Sequence, residues 1–397
     1  MCTVNNVKIL QVIPVLSDPF GGPVTVVRSI SKELAKRHEV EVYTTTALDP
    51  KHDFDPDEEE VNGYRVIYFK RTCRQLCYTD IFGQLNLSYG MMKAVKENLT
   101  KFDVVHVHSW QQFPDIMVHH YATKYRVPYV LQVHGSLPRI IAKQTLKWIF
   151  DLFFGYKLLR DASKVIALSE VEAEQYRRMG LPEEKIAIIP NGIDLLEYAD
   201  LPLKGSFKKK FNIPENNRII LYLGRIHKTK GIDLLVKAYA YLVKSRKCDD
   251  ALLVIAGPDD GYLAEIKSLS AHLNVSDSVL FTGFISSSDK LKALVDADVF
   301  VTPSFYGFPM TFLEACVAGV PIITTTQGDT LEWINDYVGY VTPPEYCDLA
   351  DAADMILSDI ELTARFSRNC RKIVKSAFSL EKVVDRLEQV YAAVTTA

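Results

Sequence analysis

The sequence predicts an α/β protein built from two doubly wound, parallel-sheet domains. Short, continuous apolar runs of strand length alternate with stretches of helical spacing, which is how buried parallel strands joined by crossover helices read. The alternation restarts near residue 218 after a mixed polar stretch. The length, 397 residues, suits two domains of about 100–200 residues each.

The elements follow in order. Val7–Val15 is the first apolar run; a glycine-rich break at Ser17–Pro23 precedes the helical spacing of Val24, Val27, Ile30 and Leu34, which continues to Arg37. Strands fit Val40–Thr44, Tyr64–Phe69, Asp103–His108, Tyr129–His134, Lys164–Leu168 and Lys185–Pro190, with helices over 86–99, 114–125, 140–160 and 170–179. In the second half, strands fit Arg218–Gly224, Ala251–Ala256, Val279–Thr282, Val299–Thr302, Pro321–Thr325 and Gly339–Val341, with a helix over Gly231–Arg246. The linker is placed near 195–203, dividing 1–198 from 199–379, and the last helix, within 380–397, suits either domain, including a return onto the first. The acidic run Asp53–Glu60 reads as a solvated loop, as most charge runs do.

Composition excludes several classes. With 46 basic and 49 acidic residues the net charge is -3, so no basic field calls for nucleic acid. Apolar residues at 48% and charged residues at 24% are the mix of an ordinary soluble enzyme. No apolar run reaches the roughly 18 residues of a membrane span, and MCTVNNVKILQV lacks the order of a signal peptide. Seven scattered cysteines without a CxxC pair predict reduced thiols, a cytoplasmic home and no structural zinc.

Two such domains imply a cleft, with ligands beyond the carboxyl ends of the strands. Gly21-Gly22-Pro23 follows the first strand and opens a helix, so its backbone can approach an anion closely; a plain tight turn is the alternative. It is not GxGxxG, and no GxxxxGK[ST] exists, so no nucleotide cofactor is expected. His106 and His108 point to one side by strand alternation. They lack a third ligand at a metal-binding spacing, and His106 reads as a core or interface residue. His134, beside Gly135 at a strand end, reads as substrate-facing. Arg225 and Lys230, after the strand RIILYLG, form a cationic clamp for a diphosphate, against the alternative of solvated loop cations; Lys228 reads as solvated. Glu314 at the start of an apolar helix is expensive to bury alone, and a ribose diol would satisfy it. The N–H groups of Met310, Thr311 and Phe312 at that helix start suit phosphate. A glutamate merely favoured by the helix dipole is the alternative. Asp296-Ala-Asp298 looks like a DxD metal motif but lies at a helix-to-strand turn, so it reads as structural and no metal is expected.

Together, LSDPFGGPVTVVRSISKELAKRHEVEVYT, DVVHVHS, VLQVHG, VIALSEVEAE, IPNGID, LGRIHKTKGID, IAGPDDGY, FTGFISSSDKL and VTPSFYGFPMTFLEACVAGVPII resemble a retaining glycosyltransferase of the GT-B fold, specifically glycosyltransferase family 4. The resemblance spans nearly the whole chain. It implies two Rossmann-like domains facing across a cleft. The substrates it implies are a nucleoside-diphosphate sugar of hexose type as donor and a glycan or lipid-linked acceptor. By resemblance, Gly21 and Gly22 meet the donor phosphate and acceptor, and His134 contacts the donor sugar. Arg225 and Lys230 clamp the diphosphate, Glu314 holds the ribose hydroxyls, and Phe284 and Ile285 flank the nucleobase. The family's Glu-x7-Glu pattern has Tyr306 at its first position here, near the donor sugar. The family mechanism needs no metal: the leaving diphosphate takes the acceptor's proton in a same-face displacement. The residues agree, since no nucleophile with an adjacent base stands out.

A sugar-nucleotide 2-epimerase of the same architecture and a non-catalytic sugar-nucleotide binding module stay open; the missing GxGxxG argues against a nicotinamide dehydrogenase. Finally, 139–164 carries Arg139, Lys143, Lys147, Lys157, Arg160 and Lys164 against Asp151 and Asp161, with Trp148, Ile149, Phe150, Leu152, Phe153 and Phe154 between. A basic, aromatic helix suits an anionic membrane surface, placing the protein peripherally on the inner membrane face; aromatics packed on the sheet are the alternative.

Overall fold

The computed structural model describes residues 6–17, 21–47, 53, 58–72, 86–137, 148, 150–246 and 248–396. The chain divides into two compact units, Met1–Gly192 with Leu380–Ala397, and Ile193–Ser379. The boundary precedes the stretch that the sequence marks as linker. Ile193 already bridges to Ser379, its N–H donating to Phe378 O at 2.9 Å.

The first unit is built on an eight-stranded sheet. Its strands are β1 (Lys8–Val15), β2 (Glu39–Thr45), β3 (Glu58–Val61), β4 (Tyr64–Phe69), β5 (Val104–Val107), β6 (Tyr129–Gln132), β7 (Lys164–Ala167) and β8 (Ile186–Ile188). Their spatial order is β3-β4-β2-β1-β5-β6-β7-β8. All neighbours are parallel except β3 and β4. β3 corrects the sequence reading of a solvated loop at its carboxyl end. Glu58, Glu59 and Glu60 are exposed on an edge strand, with Arg65 paired to Glu58 at 3.2 Å. Charged edge strands resist pairing with other chains.

Helix α1 (Gly22–Leu34) starts with Pro23 in its first turn, where a missing N–H costs nothing. α2 (Tyr89–Asn98) is capped by Ser88, and α3 (Phe113–Tyr125) by a box of Gln112 and Asp115. A π-helical turn, Asp151–Gly155, runs into α4 (Tyr156–Asp161), and Ser169 caps α5 (Glu170–Arg178). The second unit carries α6 (Ser206–Lys210), α7 (Ile232–Arg246), α8 (Leu263–His272), α9 (Ser287–Asp296), α10 (Met310–Ala318), α11 (Tyr346–Ser358) and α12 (Ile360–Ala377). The last helix, α13 (Leu380–Thr395), returns to the first unit. It buries Leu380, Val383, Val384, Leu387 and Tyr391, a helical-period stripe. Its Asp385 and Glu388 pair with Arg37 at 2.9 and 3.0 Å.

The second unit's sheet holds β9 (Arg218–Leu223), β10 (Ala251–Ala256), β11 (Val279–Gly283), β12 (Val299–Phe305), β13 (Ile322–Gly328) and β14 (Gly339–Thr342). Its order is β11-β10-β9-β12-β13-β14, parallel throughout. In each sheet the winding reverses beside one strand, β1 next to β5 and β9 next to β12. Such switch points open a crevice at the carboxyl ends of the strands.

Candidate active site

At the first unit's switch point stand three histidines. His134 has a left-handed φ of 53° and Gly135 follows at 74°, a conformation that costs a histidine energy unless the surroundings hold it. Glu172, fully buried on α5, does the holding: it accepts the N–H of Gly135 at 2.7 Å and of Leu168 at 2.6 Å. His134 Nε2 lies 3.1 Å from His108 Nδ1, and His108 Nε2 lies 2.5 Å from Gln11 Oε1 on β1. His106 lies tilted against His108 with ring centroids 3.9 Å apart, its Nδ1 2.7 Å from the Tyr391 hydroxyl. His106 is thus the core residue that the sequence suggests.

Burial pushes His106 and His134 down to about 3, and His108 well below its usual range. All three rings are therefore neutral at pH 7, each with one N–H. With the Gln11 carbonyl facing His108, the protons order themselves: His108 Nε2 donates to Gln11, and His134 Nε2 donates to His108 Nδ1. His134 Nδ1 is left as an acceptor, and it has no partner among the described residues. It can take a hydroxyl proton donor. A cavity of about 310 Å³ adjoins, walled by Pro23, Asn86, His108, Ser109, Trp110 and His134, with no charged side chain among the described lining residues. Among the described residues buried Trp110 leaves its Nε1 without a partner too. Gly21, with φ 76°, is the N-cap of α1, and a Cβ at Gly21 or Gly22 would meet nothing within 4 Å.

The second unit's switch point is charged. Arg225 follows β9, exposed, with a terminal nitrogen 2.5 Å from Asp260. Lys230 ends a 3-10 turn, Lys228–Lys230, closed by Gly231 at φ 67°. A Cβ on Gly231 would approach Pro303 of β12 to 3.0 Å, so the turn is pressed against the neighbouring strand's end. Burial, and then the Arg225 charge, lower the Lys230 ammonium's pKa. No carboxylate among the described residues pairs with Lys230, and a desolvated, unpaired cation is expensive.

Glu314 lies on α10, 3% exposed. It is not alone, as the sequence reading had it: Oε1 accepts from Lys290 at 2.6 Å and from the Tyr198 hydroxyl at 3.2 Å. Burial and the Glu314 charge push the Tyr198 phenol up, so it remains a donor. Glu314 Oε2 is buried without a partner. At the start of α10, the Phe312 N–H already donates to Pro309 O at 3.1 Å, which corrects its place among the open amides. Its ring packs on Phe300 and Phe305. Met310 and Thr311 keep the positions at the helix start. Tyr306 stands between β12 and α10, next to Gly307, whose N–H donates to Asp329 at 2.6 Å. Phe284, 78% exposed, and partly buried Ile285 follow β11. Asp296 accepts the Phe207 and Lys208 N–H groups at 2.8 and 2.9 Å, and Asp298 that of Ile219 at 2.7 Å. Both carboxylates thus serve the backbone.

Sequence reasoning missed Lys290, Tyr198, Asp260, Glu172 and Gln11. Asp260 alone carried a signal, as an acid just after the strand beside β9.

Comparison with known proteins agrees with the fold. The family model Glycosyltransferase Family 4 matches residues 20–196, and Glycosyl transferases group 1 matches 204–373. An uncharacterized glycosyltransferase of Methanocaldococcus jannaschii is 28% identical, covering 94% of each chain. An Escherichia coli UDP-Gal:alpha-D-GlcNAc-diphosphoundecaprenol alpha-1,3-galactosyltransferase is 27% identical over 83% of this chain and 84% of its own. The crystal structure of Anabaena HepE in complex with UDP and glucose superposes with a TM-score of 0.77 at 20% identity, covering 98% of this chain and all of the other.

Proposed function

Because this chain is a GT-B glycosyltransferase resembling glycosyltransferase family 4, we propose that it moves a hexose-type sugar, with retention of configuration, from a nucleoside-diphosphate sugar to a glycan or lipid-linked acceptor. The observation that carries the proposal is Lys230, a half-buried cation without a carboxylate partner among the described residues, beside Arg225 at the end of β9. A diphosphate supplies the missing counter-charge. Its negative charge grows as the sugar departs, so fixed cations favour the transition state over the ground state.

The remaining roles follow. Glu314 Oε2 accepts from a ribose hydroxyl, and the start of α10 at Met310 and Thr311 meets phosphate. Phe284 and Ile285 flank the base, and Tyr306 faces the sugar. Gly21 and Gly22 leave room for the donor phosphate and the acceptor. His134 Nδ1 accepts from a sugar hydroxyl. The bond from the anomeric carbon to the phosphate oxygen breaks, and the acceptor oxygen bonds that carbon on the same face. The acceptor's proton passes to the departing diphosphate, and no metal takes part. UDP-galactose in the name of the E. coli relative, and UDP with glucose in the Anabaena complex, support a sugar-nucleotide donor.

The acceptor reading rests on 148–160. Trp148, Leu152, Phe153, Phe154 and Tyr156 are exposed, whereas Phe150 packs against Trp110 in the loop after β5. Lys157 and Arg160 are exposed beside them, while Asp151 is buried. Arg139, Lys143, Lys147 and Ile149 lie outside the described residues. No helix among the described residues is long and apolar enough to cross a membrane. A basic, apolar patch of this kind seats on an anionic bilayer, where a lipid-linked acceptor would be presented, as the diphosphoundecaprenol in the E. coli relative's name suggests.

A panel of nucleotide sugars, scored by slow hydrolysis and by transfer to lipid-linked and free glycans, tests the proposal. We expect one donor class to turn over, its product keeping the donor's anomeric configuration in proton NMR. An inverted product would overturn retention, and a panel left wholly untouched would overturn the proposal.

A further inference from the structure

The exposed patch and the uncharged cavity of the first unit are joined by one short segment. The π-helical turn Asp151–Gly155 presents Leu152, Phe153 and Phe154 outward, while Asp151 and Gly155 are buried. Inward, Gly155 abuts Trp110: an added Cβ would sit 3.1 and 3.2 Å from the indole ring and 2.9 Å from Asp151 Oδ1. Trp110 is a wall of the cavity that also holds His108 and His134. The next residue, Gln111, has a left-handed φ of 63°, and its Nε2 donates to Asp151 Oδ1 at 3.0 Å. One face of a five-residue turn is thus the patch, and the other is the backing of the cavity wall.

Two physical facts give this arrangement consequences. Close-packed interiors have little slack, so a displacement on one side of the glycine contact is felt on the other. A π-helical turn carries an extra residue per turn and is found mostly at functional sites. Trp110 Nε1, in the same wall, is buried without a hydrogen-bond partner among the described residues.

We infer that the turn Asp151–Gly155 couples bilayer contact at Leu152, Phe153 and Phe154 to the position of Trp110 in the cavity wall. Seating the patch on an anionic bilayer and filling the cavity with an acceptor's uncharged head group then favour the same setting of the turn, and each strengthens the other. The inference rests on the membrane-surface acceptor proposed above. The expected occupant is a bilayer rather than an acidic soluble partner, because the outward side chains are large and apolar as well as flanked by Lys157 and Arg160.

The test uses the full chain with Trp148→Phe and Trp333→Phe, which leaves Trp110 as the sole tryptophan reporter. Vesicles of phosphatidylcholine with phosphatidylglycerol are added, with sedimentation and tryptophan emission read on the same samples. We expect sedimentation together with a shift in Trp110 emission. In a Gly155→Ala background the chain should still sediment without the shift. Gln111→Gly, which removes the tether while relieving its backbone, should weaken the shift without adding a clash. Sedimentation with unchanged Trp110 emission, or the same shift in both variants, overturns the coupling and leaves the membrane reading intact. No sedimentation overturns both, while nucleoside diphosphate binding by the second unit still reports on the glycosyltransferase reading.

Discussion

At the ends of β1 and β5 the polar groups are three neutral imidazoles, an amide and a phenol, linked to one another. At the ends of β9 and β12 they are Arg225 paired with Asp260, Lys290 paired with Glu314, and Lys230 without a carboxylate partner among the described residues. The same architecture thus handles two kinds of chemistry. Among the described residues the first unit lines its cavity with neutral groups, its nearby carboxylates Glu172 and Asp115 being taken up by backbone N–H groups and by Ser109, and it offers hydrogen bonds suited to hydroxyl groups. The second has gathered charge and left part of it unpaired, which suits an anion. On the proposed function, the diphosphate cations and the nucleoside contacts fall to the second unit, while hydroxyl groups of the donor sugar and of the acceptor meet the first.

The largest effects should come from the charged side. Replacing Lys230 or Arg225 by Ala removes a cation needed most as phosphate charge develops, and we expect a loss of roughly 2–4 kcal/mol in transition-state stabilisation, read from kcat/KM. Arg225 should lie at the smaller end, since it is exposed and already shared with Asp260. Full activity of both variants would erase the proposed contrast. Glu314→Gln keeps the shape but weakens charge-assisted bonds worth about 1.5–3 kcal/mol each, so calorimetry should report weaker nucleoside diphosphate binding. Tyr306→Phe should leave that affinity alone and change sugar preference or rate. The opposite pattern would mean that the two roles are exchanged.

The neutral side should show itself in stability against pH. Rings held at about 3 when folded, against an unfolded value near 6.5, keep the unfolded chain richer in protons between those limits. Stability is then fully present above about pH 6.5 and lost as pH falls towards 3. Asp115 acts oppositely: burial raises its carboxyl to about 7 from 3.8, favouring the fold at the acid side of that window. Three rings outweigh one carboxyl, so the urea midpoint should decline on acidification below about pH 6.5. A midpoint that rises instead would mean that the histidines are charged in the fold. The smallest effect is expected from chelators. With Asp296 and Asp298 committed to backbone N–H groups, activity should persist in EDTA, and a strict metal requirement would overturn the metal-free reading.

Most of the sheet and several candidate residues were legible in the sequence. Parallel strands bury both faces, so their apolar runs stand out, and Arg225, Lys230, Glu314 and His134 fall just beyond them or on the helix that follows. The partners were not legible. Lys290 is 24 residues from Glu314, and Tyr198 is 116 residues from it; no local period relates such positions. Glu58–Val61 escaped because an edge strand with exposed glutamates buries no alternating face. The turn Asp151–Gly155 escaped because its apolar run fits a buried helix as well as an exposed one. Only burial by residue separates Phe150 from Phe153.

The division between the units is tested most directly by calorimetric titration of UDP, GDP, ADP and CDP into the wild-type chain, Lys230→Ala, Glu314→Gln and His134→Ala. We expect one nucleoside diphosphate to bind the wild type, Lys230→Ala and Glu314→Gln to bind it more weakly, and His134→Ala to bind it unchanged, since the sugar is absent. Binding abolished by His134→Ala but indifferent to Lys230→Ala would contradict that division.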